Sequence, residues 1–168
     1  QHVAEAVGQR WQQQGRDPAS LRLISAHLGA GASLAAIKGG ICIDTTMGFT
    51  PLEGLVMATR SGSIDPGLLL ELMREGYGCE AMADILQKES GLKGLSGLSG
   101  DMRELRTAAS IGHNGAIRAL NVFRHRLIQL LGAMAASLRG VDVLALTGGI
   151  GEHDHQLQEE LEQALDWW

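Results

Sequence analysis

Two glycine-rich stretches carry the residues best suited to chemistry: "SAHLGAGASLAAIKGG" at 25–40 and "ALTGGIGEH" at 145–153. Each begins in a short apolar run. Glycine is costly to order and is kept where backbone turns sharply or approaches something closely. A strand that runs into such a loop and then into a helix presents free N–H groups at the positive end of the helix dipole. That is a place for phosphate or for the edge of a nucleotide. Alone, "TGGIGE" reads either as nucleotide contact or as a plain tight turn. No Gly-Lys-Ser/Thr follows it, and Gly149-Ile150-Gly151 supplies only a GxG before Glu152, short of GxGxxG. Two such loops after two strands point to one shared phosphate-bearing ligand.

Other candidates weigh less. Arg60, taken by itself, reads as a surface arginine ahead of a helix, although an always-charged planar guanidinium suits phosphoryl oxygens well. His27 sits between apolar residues and reads either as a hydrogen-bonded core histidine or as a phosphate contact. "HDH" at 153–155 has poor spacing for a metal at a helix start and reads as exposed polar residues. Asp44 and Glu53 suit local loop hydrogen bonding better than acid/base work. Ser61 and Ser63 have no activating base in view.

The elements that must position these residues follow from pattern and punctuation. A helix is expected over 2–14, with Val3, Ala6, Val7 and Arg10–Trp11 on one side, ended by "GRDP" at 15–18. A buried strand over 21–28 precedes two strands, 32–38 and 41–46, which flank a Gly39-Gly40 hairpin turn. Residues 47–62 read as loop. "SIDPGLLLELMREG" is a helix with explicit ends: Asp65 at the N-cap, Pro66 at the first position and Gly76 past the last turn. A second helix is expected over 79–90, and a compact loop over "GLKGLSGLSG" at 91–100. A short helix should run from Asp101 to about Ala109, and a long one from Gly112 to Leu138. The long helix has an apolar face of Ile117, Leu120, Phe123, Leu127, Leu130, Leu131, Met134 and Leu138. A buried strand over 141–147 and a helix from Glu152 to Leu165 complete a mixed α/β order.

Composition bounds the partners. The chain has 168 residues, 45% hydrophobic and 20% charged, which describes an ordinary globular sequence. A net charge of −5 with no basic run gives no footprint for nucleic acid. No apolar run is long enough to span a bilayer, and no signal peptide is evident. Cys42 and Cys79 lack ligand spacing and read as reduced cytosolic thiols.

Four blocks, in order, resemble the acetate kinase family with its close propionate kinases: "HLGAGASLAAIKGG", "DTTMGFTPLEGLVMATRSGSIDPG", "ESGLKGLSGLSGDMR" and "VDVLALTGGIGE". The resemblance covers nearly the whole chain, and "TPLEGLVMATRSGSIDP" is its most specific part. Butyrate kinases lack that block, and a sugar kinase or Hsp70-type ATPase would carry a different one. The resemblance implies an α/β fold of the actin-like ATPase class (acetate and sugar kinases, Hsp70, actin). Residues 1–168 would form a single partial domain, part of the C-terminal, nucleotide-binding lobe, with a mixed sheet and flanking helices. It implies reversible phosphoryl transfer between ATP and acetate or propionate, with Mg²⁺, in the cytoplasm, by a homodimer.

Site residues are implied residue by residue. His27, Leu28, Gly29, Ala30 and Gly31 match a loop at the ATP phosphates. Asp101, Met102 and Arg103 match a stretch at the nucleoside. Gly148, Gly149, Ile150, Gly151 and Glu152 match a loop closing over adenosine. Arg60 matches an arginine that stabilises the transferring phosphoryl group, and Pro51 a wall of the acid pocket.

Some features depart from the family pattern. Ala30 stands for the usual asparagine, and His153 for the asparagine after GGIGE. The family's Asn-x-Gly-Ser-Ser-Ser loop, catalytic aspartate, second arginine, histidine and metal-binding glutamate have no matching position. Metal ligands are therefore expected outside this chain. Trp167-Trp168 reads as an interrupted domain, and an internal fragment without turnover of its own is expected. The alternative is a truncated, binding-only module that retains the nucleotide loops but has lost turnover.

Overall fold

The computed structural model describes residues 2–166. In chain order these form α1 (His2–Gln13), β1 (Arg22–Leu28), β2 (Ala32–Lys38), β3 (Ile41–Thr45) and α2 (Pro66–Arg74). There follow α3 (Cys79–Asp84), a π-helical turn (Ile85–Glu89), α4 (Gly91–Ser96), α5 (Met102–Ser110) and α6 (Asn114–Leu138). The chain then runs through β4 (Val143–Thr147), α7 (Gly148–His153) and α8 (His155–Ala164). It divides into two compact units, one of residues 1–46 with 127–168 and the other of 47–126. Trp167 and Trp168 lie outside the described residues.

The first unit is built on a mixed sheet in the order β3-β2-β1-β4. The hairpin forms where expected: β2 pairs antiparallel with β3 from Lys38↔Ile41 to Ala35↔Thr45, around Gly39 and Gly40, both at positive φ. β1 pairs antiparallel with β2 from Arg22↔Lys38 to Leu28↔Ala32. β4 pairs parallel with β1, from Leu23↔Val143 to His27↔Thr147. Leu23, Ile24, Ala26 and Leu28 are fully buried, so β1 is the centre of the core. β4 was expected to be buried; it is half-buried throughout, because it forms one edge of the described sheet. α1 lays Ala4, Val7 and Trp11 on Leu21, Leu23 and Ile37. That face is rotated from the expected one, and Ala6 is exposed. The Arg16 guanidinium covers the Trp11 ring at 4.3 Å.

The entry to β4 is fixed by one ion pair. Arg22 donates from Nη2 to Asp142 at 2.7 Å and from Nε to the same carboxylate at 3.1 Å. The two backbones complete the match, Arg22 N–H to the Asp142 carboxylate and Asp142 N–H to the Arg22 carbonyl, both at 2.9 Å. Arg22 Nη1 also donates to the Arg139 carbonyl at 2.9 Å, capping the end of α6. One guanidinium thus sets strand register and stops a helix. The hydrogen bond from Arg22, more than its charge alone, holds the Asp142 carboxyl below the usual carboxylate range.

In the second unit α2 has the ends read from its sequence. Asp65 accepts from Gly67 N–H at 2.8 Å, Pro66 opens the helix and Gly76 turns left-handed after it. Two expectations fail. The helix expected over 79–90 loosens into a π turn after Asp84, and residues 91–96 of the expected loop are helical, ended by Gly97 in the left-handed region. Tertiary backbone bonds, described below, override glycine's poor helix propensity there.

α6 runs through both units and buries Ala116, Ala119, Phe123, Leu127, Leu131, Met134, Ala135 and Leu138. Leu120 and Leu130 are half-buried and Ile117 is exposed, so the apolar stripe is narrower than the sequence suggests and two alanines open it. No described helix is long and apolar enough to cross a membrane.

Two outcomes follow for stability. Asp142, with its folded pKa depressed, contributes stability above the unfolded value of about 3.9 and loses it as pH falls through the folded value. The gap in urea midpoint between the parent chain and Asp142→Asn is therefore expected to be full at neutral pH and to close in acid. An equal gap in acid and at neutrality would contradict this. Phe123→Ala is expected to cost about 3–5 kcal/mol, and Ile117→Ala about 0.5 kcal/mol or less, in urea titrations.

Candidate functional site

Parallel pairing of β1 and β4 brings the loops after both strands to one edge of the sheet. His27 and Thr147 are register partners, and His27 Nδ1 shares a hydrogen bond with Thr147 Oγ1 at 3.2 Å. His27 is exposed, which removes the core-histidine reading. The loop between β1 and β2 closes on itself, with Gly29 N–H donating to the Gly31 carbonyl at 3.0 Å. Ala30 is exposed at its tip, whereas the Leu28 side chain is fully buried in the core.

Gly148 explains the close approach. A Cβ there would stand 2.6 Å from the Leu28 carbonyl oxygen and 3.2 Å from the His27 ring. The loop expected over 148–152 is in fact the first turn of a helix, α7. Thr147 is its extended N-cap residue, and Gly148 N–H donates to Glu152 Oε1 at 3.1 Å. Glu152 thus places a carboxylate at the end of the helix where an anion would otherwise be favoured. Gly149 is exposed and Ile150 half-buried, while Gly151 is buried against Leu146.

In the second unit, Arg60 lies on a loop whose backbone is tied on both sides. The carbonyls of Met57, Ala58 and Thr59 accept from Leu92, Lys93 and Ser90 N–H at 2.9, 3.0 and 3.0 Å. Ser61 N–H donates to the Leu86 carbonyl at 3.0 Å, and Thr59 Oγ1 to the Gln87 carbonyl at 2.7 Å. The Arg60 side chain is exposed and reaches only the Met57 sulfur, at 3.8 Å. Among the described residues no carboxylate pairs with it, whereas Arg22, Arg74 and Arg103 each hold one. Pro51 is exposed in the preceding loop. Glu53, two residues on, accepts a short hydrogen bond from Ser63 Oγ. That contact gives Ser63 a carboxylate partner the sequence reading did not find. Asp44 bonds locally, as expected, by accepting from Thr45 N–H at 2.8 Å, but it also accepts from Ser137 Oγ at 2.6 Å, 93 positions away, which the local reading did not anticipate.

Asp101 and Arg103 lie at the start of α5. The Asp101 carboxylate caps the helix by accepting from Arg103 N–H at 2.8 Å, and the Arg103 guanidinium folds back on it at 2.6 Å. The Arg103 side chain, through that hydrogen bond first and its backbone N–H second, holds the Asp101 carboxyl at about 2. Arg103 is 91% exposed, whereas the Met102 side chain is buried, so Met102 can offer a ligand little beyond its backbone. Gly100 links this turn to the arginine loop, since a Cβ there would stand 2.6 Å from the Ala58 carbonyl oxygen.

The predicted residues thus assemble within each unit: His27–Gly31 with Gly148–Glu152 in the first, and the Arg60 loop with the start of α5 in the second. Among the described residues no hydrogen bond ties Pro51 to the Arg60 loop. Thr59, Thr147 and the glycines of 91–100 escaped the sequence reading. Among the described residues no three of His, Cys, Asp or Glu come together as a metal-binding group.

A family model described as the acetokinase family matches residues 3–168. The acetate kinase of Microcystis aeruginosa is 55% identical over 155 residues, which are 92% of this chain and 39% of that protein. The crystal structure of Porphyromonas gingivalis acetate kinase superposes with a TM-score of 0.87 at 43% identity, covering 92% of this chain and 39% of that one. A propionate kinase from Francisella tularensis superposes equally well, with a TM-score of 0.87 at 36% identity, covering 98% of this chain and 41% of that one. The chain therefore spans about 40% of the length of the relatives it matches. Its fold is that of the actin-like kinases, as the resemblance implied. With the family model matched over almost all of its length, the chain belongs to the acetokinase family.

Proposed function

We propose that the chain supplies the phosphate-facing loops of an enzyme that moves a phosphoryl group reversibly between ATP and a short carboxylate, acetate or propionate. The observation that carries this reading is Arg60: an exposed guanidinium without a carboxylate partner among the described residues, on a backbone held by hydrogen bonds on both sides. In the reaction a carboxylate oxygen attacks the γ-phosphorus as its bond to the β–γ bridging oxygen breaks, and ADP leaves. Charge spreads over three equatorial oxygens while little covalent help is needed, so positioning and neutralisation dominate. A planar, permanently charged fork fits those oxygens.

In this reading the remaining residues of each unit have parts of their own. The loop 27–31 offers its tip and an exposed imidazole to the phosphates. The start of α7 already holds the Glu152 carboxylate, so it suits the uncharged nucleoside better than phosphate. The Asp101 carboxylate, ionised at any physiological pH, is an acceptor for sugar hydroxyls. Pro51, exposed and rigid, serves as a wall for the acid's alkyl group. Magnesium, when bound, would neutralise phosphate charge from ligands outside the described residues. The protein would work in the cytoplasm as a homodimer.

Two experiments test this. Residues 3–168 exchanged into the matching segment of the Microcystis aeruginosa acetate kinase should give a chimera that forms acyl phosphate from acetate and ATP in a hydroxamate assay. Arg60→Ala in that chimera is expected to cost ~10³-fold or more in rate. The chain alone is expected to stay at background. A chimera whose turnover does not depend on Arg60 would defeat the reading. The second test concerns Ala30, at the loop tip. Ala30→Asn restores an amide donor and is expected to tighten ADP binding to the chain by about 1 kcal/mol, or roughly fivefold, by calorimetry. Unchanged affinity would mean that the tip does not face the phosphates.

A further inference from the structure

We propose that the π turn 85–89 and the glycine segment 91–100 form a positioning clamp for Arg60, with Thr59 and Gly91 as its setting residues. The proposal rests on the reading of Arg60 as a phosphate contact. It concerns different residues, none of which needs to touch a ligand.

The hydrogen bonds show an exchange of partners. In a regular helix the Leu86 carbonyl would accept from Ser90 N–H. Here Ser90 N–H goes instead to the Thr59 carbonyl at 3.0 Å, and the Leu86 carbonyl accepts from Ser61 N–H at 3.0 Å. The Gln87 carbonyl, one step on, takes the Thr59 hydroxyl at 2.7 Å. The π turn is thus the place where a helix gives up internal bonds to hold the residues on either side of Arg60. Such turns recur at functional sites.

The glycines make the clamp fit. A Cβ on Gly91 would stand 2.3 Å from the Met57 carbonyl oxygen, 2.7 Å from that of Arg60 and 3.0 Å from the Arg60 nitrogen. Gly100 closes the same loop from another side, against Ala58, and Gly62 lies with no room for a side chain against the Leu55 carbonyl oxygen. Met57 N–H donates back to the Arg60 carbonyl at 3.2 Å, closing the turn internally. The backbone is therefore held while the guanidinium stays unpaired, so ligand binding need order only the side chain. Misplacing a catalytic group by about 1 Å can cost on the order of 10²-fold in rate, which is what such a clamp guards against.

The test uses this chain with Thr59→Val, Thr59→Ser and Gly91→Ala. Amide hydrogen exchange is read at Met57 and Ser61, with β1 amides as the control. Pyrophosphate is titrated while the Arg60 Nε–Hε resonance is followed, and the titration is repeated by calorimetry on the parent and Arg60→Ala. Thr59→Val is expected to speed exchange at Ser61 about tenfold and to weaken pyrophosphate about fivefold, with β1 unchanged. Thr59→Ser, which keeps the hydroxyl, should restore both. Unchanged exchange at Met57 and Ser61 in Thr59→Val and Gly91→Ala overturns the clamp. So does a loosened loop that binds pyrophosphate as tightly as the parent, provided the parent's binding depends on Arg60. If Arg60→Ala binds as the parent does, the phosphate reading of Arg60 falls, and exchange alone decides whether the loop is clamped.

Discussion

Backbone lying directly on backbone is the constraint from which the rest of the molecule follows. In the first unit the start of α7 rests on the Leu28 carbonyl, which brings the turns after β1 and β4 together. In the second, the start of α4 rests on the arginine loop. Both contacts exclude a Cβ. The sheet and helices around them act as a frame. The parallel β1–β4 pair, fixed at its entry by Arg22 and Asp142, delivers the two turns to the same edge.

Charge is distributed to match. Most of the prominent cations are spoken for: Arg22 by Asp142, Lys93 by Glu89, Arg103 by Asp101, and Arg118 by the Leu95 carbonyl at the end of α4. Those pairs are partly or largely exposed and contribute little stability each, but they fix geometry. Arg60 differs from these, its carbonyl engaged by Met57 N–H and its head without a carboxylate partner among the described residues. The same separation of a rigid base from a free tip appears at Asp101, where capping fixes the carboxylate and its partner guanidinium can swing away at small cost. Under the proposed function, both sites are prepared before a nucleotide arrives.

Local chemistry was readable in the sequence, and long-range chemistry was not. Asp65, Pro66 and Gly76 mark the ends of α2 because caps act on their own turn, and Gly39-Gly40 marks the hairpin for the same reason. The motif residues Arg60, Asp101 and Gly148–Glu152 could be named by resemblance. Their surroundings could not, since Thr59 meets Gln87 and Arg22 meets Asp142 across 28 and 120 positions. α4 was misread because glycine opposes helix locally while three carbonyls from a distant loop enforce one. A signal was present nonetheless: glycines at 91, 94, 97 and 100 recur at every third position, a regularity that an unstructured loop does not require.

The close contact at Gly91 has an evolutionary corollary. Any coding change at the first or second base of a glycine codon adds a side chain or a stop, and beneath the Arg60 carbonyl there is no space for even a methyl group. The position therefore has no room for another amino acid, although it meets no ligand in the proposed reaction. Selection for turnover would reach it as strongly as it reaches the arginine above, and the two should be inherited as one unit.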